Sequence, residues 1–300
     1  MSTSALFDRP GPRTRRRILL ASVVAGVGLA ALAVLVVLRL QAQGQLTEEK
    51  WGPVLNPSNP YFIALWTGLG QALLRNVQAA VLAMAFSLLL GTMLAVTRIN
   101  LPRWARWAVV GPMEFFRGLP VVIAIFFAAR ILPTLGVDLP LLWYLVIGLT
   151  AYNSVIIAEI VRAGIASLPR GQAEAAAAVG LTRGQSMRSI LLPQAFRAML
   201  PALISQLVVI FKDTSLGFVI LYAEAVRFVQ IAIQLPELRN PLQLYLTVGV
   251  IFILINYLLS KLAVWVERRL SRTRTVLAVA KADLLDAEPA TLATTTRAGG

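Results

Sequence analysis

Few residues of this 300-residue sequence are equipped for covalent chemistry. It contains no Cys and no His. Thiolate metal sites, Cys nucleophiles and the commonest general base and metal ligand are therefore excluded. An enzyme would have to work with carboxylates, Ser, Thr, Tyr or Lys, and no spacing joins these into a metal-ligand set or a nucleophile–base pair. There is no G-x-x-x-x-G-K-[S/T] loop and no Gly-Lys pair, so ATP has no phosphate cradle of that kind here.

What remains is a set of polar residues in apolar surroundings. Lys212 and Asp213 stand in the apolar stretch 201–221, about 16 Å along a helix from Pro201. A charge at that depth costs about 2.5–3.5 kcal/mol on insertion scales, so its default reading is functional. The pair can line or gate a pathway, or form an ion pair between helices. Thr214 and Ser215 continue the polar run. Arg117 interrupts another apolar stretch and is either a pathway charge or a group near the inner interface. Asn153 and Ser154 interrupt a third, where they either face a pathway or join helices by hydrogen bonds. Glu159 and Arg162, a turn apart near the end of that stretch, are better placed to support the segment that follows than to touch a substrate.

That segment, residues 167–196, is SLPRGQAEAAAAVGLTRGQSMRSILLPQAF. Its order predicts two short helices with a break. Pro169 suits a helix start. The run from Glu174 to Val179 is nearly all Ala, the strongest helix former. Gly180 ends the helix in a left-handed cap. Thr182 and Gln185 form a T-x-x-Q capping box for the second helix. Met187, Ile190 and Leu191 share one face of it, and Pro193 closes it. An Ala-faced helix has low relief, so another protein can approach its backbone, and Glu174 offers a charge to a basic partner. The plain alternative is an Ala-rich helix that covers the ends of the spans.

These groups need positioning elements, and composition names them. The chain is 58% hydrophobic, with a mean hydropathy of +0.74, above the range of soluble domains. The apolar residues fall in six runs: 18–38, about 73–96, 104–131 (interrupted by Glu114, Arg117 and Pro120), 141–160, 201–221 and 244–266. The first has 21 residues, longer than a signal-peptide core, and no good cleavage pattern follows it, so it is expected to stay as a membrane helix. The fold class expected is all-α, a polytopic membrane protein of six transmembrane helices. Residues 1–17 form a basic tail, 39–64 an external loop, 65–266 the core with the polar loop at 163–200, and 267–300 a tail with little fixed structure near its end.

The net charge is +14, but no basic stripe interleaves with aromatics, so a nucleic-acid partner is not expected. The charges sort by side instead. With the N-terminus inside, the inner flanks hold 17 basic residues: Arg9, Arg13, Arg15, Arg16, Arg17, Arg98, Arg103, Arg106, Arg162, Arg170, Arg183, Arg188, Arg197, Arg268, Arg269, Arg272 and Arg274. The outer flanks hold six: Arg39, Lys50, Arg75, Arg130, Arg227 and Arg239. The positive-inside rule then gives N-in, C-in and a cytoplasmic loop at 162–200. Trp143, Tyr144 and Trp265 suit interfacial anchors. No internal repeat supports the plan of many secondary transporters.

The spacing Glu174-Ala175-Ala176, Gly180, Ile190, Leu192, Pro193 resembles the cytoplasmic loop motif of permeases of ATP-binding-cassette importers. Seven positions match within twenty residues. Ala158-Glu159-Ile160, Arg162, Gly164-Ile165 and Gly171-Gln172 resemble the run before that motif in permeases for polar amino acids. Lys212 to Leu216 resembles that subfamily's signature, and Arg117-Gly118-Leu119-Pro120 its R-G-T-P stretch, departing at Leu119. The resemblance covers roughly residues 65–266. It implies a five-helix type I importer core, to which the first span is an addition. The leader (Phe7 to Arg17) and the loop LTEEKWGP (46–53) resemble those of actinobacterial glutamate-type permeases.

The resemblance implies the rest. The chain is expected in the bacterial cytoplasmic membrane, as a permease subunit for a polar amino acid, glutamate being the best expectation. It is expected to be no enzyme and to hold no cofactor, ATP and Mg residing on a cytoplasmic ATPase dimer. A second permease, a different chain in preference to a copy although permeases of this kind pair either way, and an external solute-binding protein complete the assembly. Gly171, Gln172, Glu174, Ala175, Ala176, Gly180, Ile190, Leu192 and Pro193 are expected to couple to the ATPase. Arg117, Asn153, Ser154, Lys212, Asp213, Thr214 and Ser215 are the candidate substrate pathway. Lys212, Arg117 and Arg130 could supply positive charge for an acidic substrate. The rivals are a secondary transporter or channel of six helices, which would need coupling-ion carboxylates and a repeat, and a membrane enzyme.

Overall fold

The computed structural model describes residues 11–295, and side chains through residue 269. Arg9 and the first part of the leader resemblance (residues 7–10) lie outside the described residues. So do the side chains of Arg272 and Arg274, and residues 296–300 of the tail. Among the described residues the chain is helical and has no strand. The helices are α1 (Pro12–Ala42), α2 (Glu48–Leu55), α3 (Phe62–Asn100), α4 (Trp107–Gly118), α5 (Val121–Thr134), α6 (Leu141–Ala166), α7 (Arg170–Ala178), α8 (Arg183–Ser186), α9 (Leu192–Asp213), α10 (Ala225–Ala232) and α11 (Pro241–Thr295). Five are long and apolar enough to cross a membrane: α1, α3, α6, the run Arg183–Ile220 and Pro241–Arg269 within α11; α4 and α5 together make a sixth when the bent pair is taken as one span.

The chain divides into two units, Met1–Leu65 and Trp66–Gly300. In the first, α1 has no residue buried by the protein, and its apolar run suits burial in lipid instead. The loop expected at 39–64 is partly helical. α1 runs on to Ala42, and α2 occupies Glu48–Leu55. Gly44, with φ of 64°, turns the chain between them, and the Trp51 indole donates to the Gln45 carbonyl at 3.0 Å.

In the second unit α6 is the central helix. Tyr144, Leu145 and Leu149 at its first half pack with Ala79, Ala80 and Ala83 of α3, Ile125 and Ala128 of α5, and Ile210 and Phe211 of α9. Val155, Ile157, Ala158 and Val161 at its second half pack with Ala95, Met113, Ala195, Met199 and Leu203. Small residues set the approach. A Cβ on Gly148 would fall 2.5 Å from the Ile125 Cα, and one on Gly91 would fall 2.7 Å from the Ser154 carbonyl oxygen. Lipid offers no hydrophobic drive between helices, so close backbone packing of this kind holds them together.

Two expected spans differ. The stretch 104–131 is not one helix: α4 and α5 meet at 105°. Leu119, which precedes Pro120, is extended (φ −85°, ψ 127°), because a proline ring disfavours helix in the residue before it. The span expected to begin at Pro201 begins earlier. Pro201 lies inside α9, and the helix is continuous with the polar loop.

Candidate functional site

The loop between α6 and α9 keeps most of the expected local structure. α7 begins at Arg170, just after Pro169. It ends in a reciprocal pair of bonds, Gly180 N–H to the Ala177 carbonyl at 3.0 Å and Leu181 N–H to the Ala176 carbonyl at 3.1 Å. Gly180 has φ of 81°, the left-handed geometry this closure requires. Thr182 then caps α8. Its hydroxyl accepts from the Gln185 N–H at 3.3 Å, and the Gln185 side chain accepts from the Thr182 N–H at 2.9 Å.

Pro193 does not close the second helix, contrary to expectation. Residues Met187–Leu191 form a π-helical turn, and α9 follows with Pro193 in its first turn. The Leu192 N–H bonds five residues back, to Met187. A proline in an α-helix clashes with the carbonyl four residues before it. The wider turn removes that conflict, so the chain passes from loop to span without a break.

The faces of the loop are unequal. Gly171, Gln172, Glu174 and Ala175 are exposed, and so are Ala177, Ala178 and Gly180. Ala176 and Met187 are buried, Ile190 and Leu192 are half-buried, and Pro193 is exposed. Gln194 donates to the Gln172 side chain at 3.1 Å, fastening α7 to the start of α9. A cavity of 370 Å³ lies behind the loop, between Ile99 and Asn100 of α3 and the inner face of α7 and α8. Glu159 pairs with Arg98 of α3 and, at 2.8 Å, with Arg162. The carboxylate thus holds the ends of α3 and α6 together where the loop departs.

The polar residues of the spans are placed in different settings. Asn153 is wholly buried. It donates to the Leu149 carbonyl at 2.8 Å and accepts from Gln206 at 2.7 Å, so it joins α6 to α9. Ser154 donates to the Ala151 carbonyl of its own helix at 3.2 Å. Arg117 is exposed at the end of α4 and pairs with Glu114. Lys212 is exposed and Asp213 half-buried at the end of α9. Neither makes an ion pair among the described residues. The Ser215 hydroxyl donates to the Lys212 carbonyl at 2.8 Å.

Thr214 belongs to a buried cluster whose other members the sequence did not announce. Asn76 of α3 donates to Thr214 at 2.9 Å and to Glu224 at 3.4 Å, and accepts from the Ala225 N–H at 3.0 Å. Glu224 is fully buried and accepts from the N–H groups of Val226 and Arg227 at 2.9 and 2.7 Å. It thereby caps α10 with a carboxylate, where the helix dipole favours negative charge. The Tyr222 hydroxyl donates to the Arg75 carbonyl at 3.2 Å, and Arg75 donates to the Ala223 carbonyl at 3.1 Å. These bonds fix a turn in which Leu221 holds φ of 64°. Arg75 drew attention in the sequence, but Asn76 was hidden in an apolar run and Glu224 is an uncommon capping type.

Known proteins share this architecture. The family described as binding-protein-dependent transport system inner membrane component matches residues 87–272. The glutamate transport system permease protein GluD of Corynebacterium glutamicum is 41% identical over 239 residues, covering 78% of this chain and 85% of its own. The glutamate/aspartate import permease protein GltK of Escherichia coli O157:H7 is 33% identical over 232 residues, covering 74% and 98%. Among solved structures, an amino acid ABC transporter crystallised with histidines superposes with a TM-score of 0.62 at 26% identity, over 69% of this chain and 96% of that one. The MetNI methionine transporter shares the fold, with a TM-score of 0.53 at 22% identity over 71% and 99%. The match over the core, the shared helical architecture and the 41% identity to one permease agree, and this chain belongs to the family of inner membrane components of binding-protein-dependent transport systems.

Proposed function

We propose that this chain is the permease subunit of an ATP-driven importer that carries a polar amino acid, glutamate first, across the cytoplasmic membrane by alternating access. The observation that carries the reading is the loop α7–α8. It presents Glu174, Ala175 and Ala178 outward on a short helix closed by Gly180 at φ of 81°. Its second helix runs through a π-turn directly into α9. A partner that moves the loop therefore moves α9. With Arg-rich flanks inside, the loop faces the cytoplasm. A cytoplasmic ATPase dimer docks on it, and closure of that dimer shifts the spans between two populated states. A second, different permease and an external solute-binding protein complete the complex.

Glutamate as the cargo is supported by the relatives that are glutamate permeases. Lys212 and Arg117, both exposed, are the cations proposed to meet its carboxylates. Ser215 and Asp213 line the same route.

The test replaces Glu174 with Arg and, separately, Gly180 with Val in the intact transporter. Both variants are expected to insert normally and to lose uptake at least tenfold, with weaker co-purification of the ATPase. Full uptake in a strain lacking every candidate ATPase subunit overturns the importer reading. Competition by a panel of amino acids tests the cargo separately: displacement by glutamine or arginine but not glutamate overturns that part alone.

A further inference from the structure

We propose that a cavity at the loop-bearing end of α3 and α6 binds the phosphate group of an anionic phospholipid. The cavity measures 410 Å³ and is lined by Arg98, Ile99, Arg106, Arg162, Ile165 and Ala166. Three guanidinium groups therefore face one space. The single carboxylate joined to them is Glu159, which pairs with Arg98 and Arg162. Three positive charges less one negative leave two uncompensated. Arg106 has no carboxylate partner among the described residues. Its Nη2 donates to the Leu101 carbonyl at 3.2 Å, while its Nε is buried and bonds to nothing in the protein. The guanidinium thus has few acceptors in the protein, and its cavity-facing N–H groups are free to meet those of a ligand. A phosphate diester supplies two anionic oxygens in the geometry that guanidinium forks match.

The setting selects a lipid as the source of that phosphate. α3 ends at Asn100 and α6 at Ala166, so the cavity lies where two membrane-crossing helices leave the hydrocarbon. Trp104 and Trp107, which flank Arg106 in sequence, are 77% and 74% exposed. Exposed indoles at span ends lie at headgroup depth. Ile99 and Ile165 give the cavity an apolar wall suited to the glycerol and first methylenes. Basic pockets between helices at a membrane face hold anionic headgroups for these reasons. A phosphate in this space satisfies Arg106 and ties the entry of α4 to the ends of α3 and α6, next to the loop. The inference requires that α3 and α6 cross the bilayer. It requires neither the orientation nor the cargo proposed above.

The experiment is native mass spectrometry of the purified full-length chain with added phosphatidylglycerol or phosphatidylcholine at equal ratios. Phosphatidylglycerol is expected to be retained in preference. Arg106→Gln is expected to weaken its retention about fivefold, and Arg106→Lys by less. Ala166→Phe, which fills the cavity and leaves every charge in place, is expected to weaken it as well. Circular dichroism and size exclusion establish that each variant is folded, and the Lys and Phe variants carry the test if the Gln variant is not. Equal retention of the two lipids overturns the proposal. So does wild-type retention by Ala166→Phe, which would place the lipid on surface charge outside the cavity. Displacement of phosphatidylglycerol by millimolar inorganic phosphate overturns the lipid source in favour of a free anion. In intact membranes, a photo-crosslinker at Ile165, in the cavity wall, that captures a protein subunit instead of lipid assigns the cavity to a protein partner and also overturns it.

Discussion

Asn76 is the residue on which the buried polar cluster turns. Its amide makes bonds to Thr214, Glu224 and the Ala225 N–H, so one side chain on α3 fixes both ends of the segment that enters α10. Asn76→Ala leaves Thr214 and Glu224 short of a donor in a site without water access. The expected loss is about 2 kcal/mol, read as a lower unfolding midpoint of the purified chain in detergent. An unchanged midpoint would show that the cluster is incidental. The Asn153–Gln206 bond is a different case, since it is one hydrogen bond at 2.7 Å between two span helices. Such bonds average about 0.6 kcal/mol in membranes, because the unpacked helices find other partners. A double-mutant cycle with Asn153→Ala and Gln206→Ala is expected to return a coupling of that size. A coupling near zero would mean that the two amides do not act together, and the pathway reading of Asn153 would regain ground.

Among the elements, α5 and α6 show how the bundle is assembled. Gly148 brings the helices so close that an added Cβ would meet the Ile125 backbone at 2.5 Å. Neither backbone can yield locally, so Gly148→Ala is expected to cost about 1–3 kcal/mol. Gly70 has nothing within 4 Å of its Cβ position, and Gly70→Ala is expected to be neutral or slightly stabilising. Thermal unfolding of the two variants side by side checks the contrast, and equal midpoints would refute it. The polar loop belongs to the same scale. Its helix start, left-handed cap and capping box were all legible from Pro169, Gly180, Thr182 and Gln185, because these depend on neighbours within four residues. The π-turn was not legible. Pro193 reads as a stop by local rules, and only the buried packing of Met187 and Ala195 shows why the helix is carried past it. The bend at Leu119–Pro120 was announced by the proline, but its angle of 105° is set by the packing of Met113 on one side and Ile125 and Ala128 on the other.

For the whole molecule, membership of the family makes the chain a multi-pass inner-membrane component. It is no enzyme and has no cofactor of its own; ATP hydrolysis belongs to a partner. The orientation is testable with little engineering, since the chain has no Cys. A single Cys replacing Ala178, on the exposed face of α7, is expected to react with a membrane-impermeant maleimide only after the membrane is opened. A Cys at Asp138, between α5 and α6, is expected to react in intact cells. The reverse pattern would invert the topology and detach the loop from any cytoplasmic ATPase.

The sequence by itself determined the membrane class, the helical fold, the short signals that shape α7 and α8, and the family, since hydropathy runs and local capping are written in consecutive residues. It also marked Glu159 and Arg162 as supports of the loop, because they are one turn apart. Tertiary structure alone decided that Arg98 completes that pair, that Asn76 meets Thr214 and Glu224, and that Arg98, Arg106 and Arg162 share one cavity. Those partners stand up to 149 positions apart. No local pattern encodes such distances; they follow from how the helices pack, as where Gly91 lets α3 close on α6.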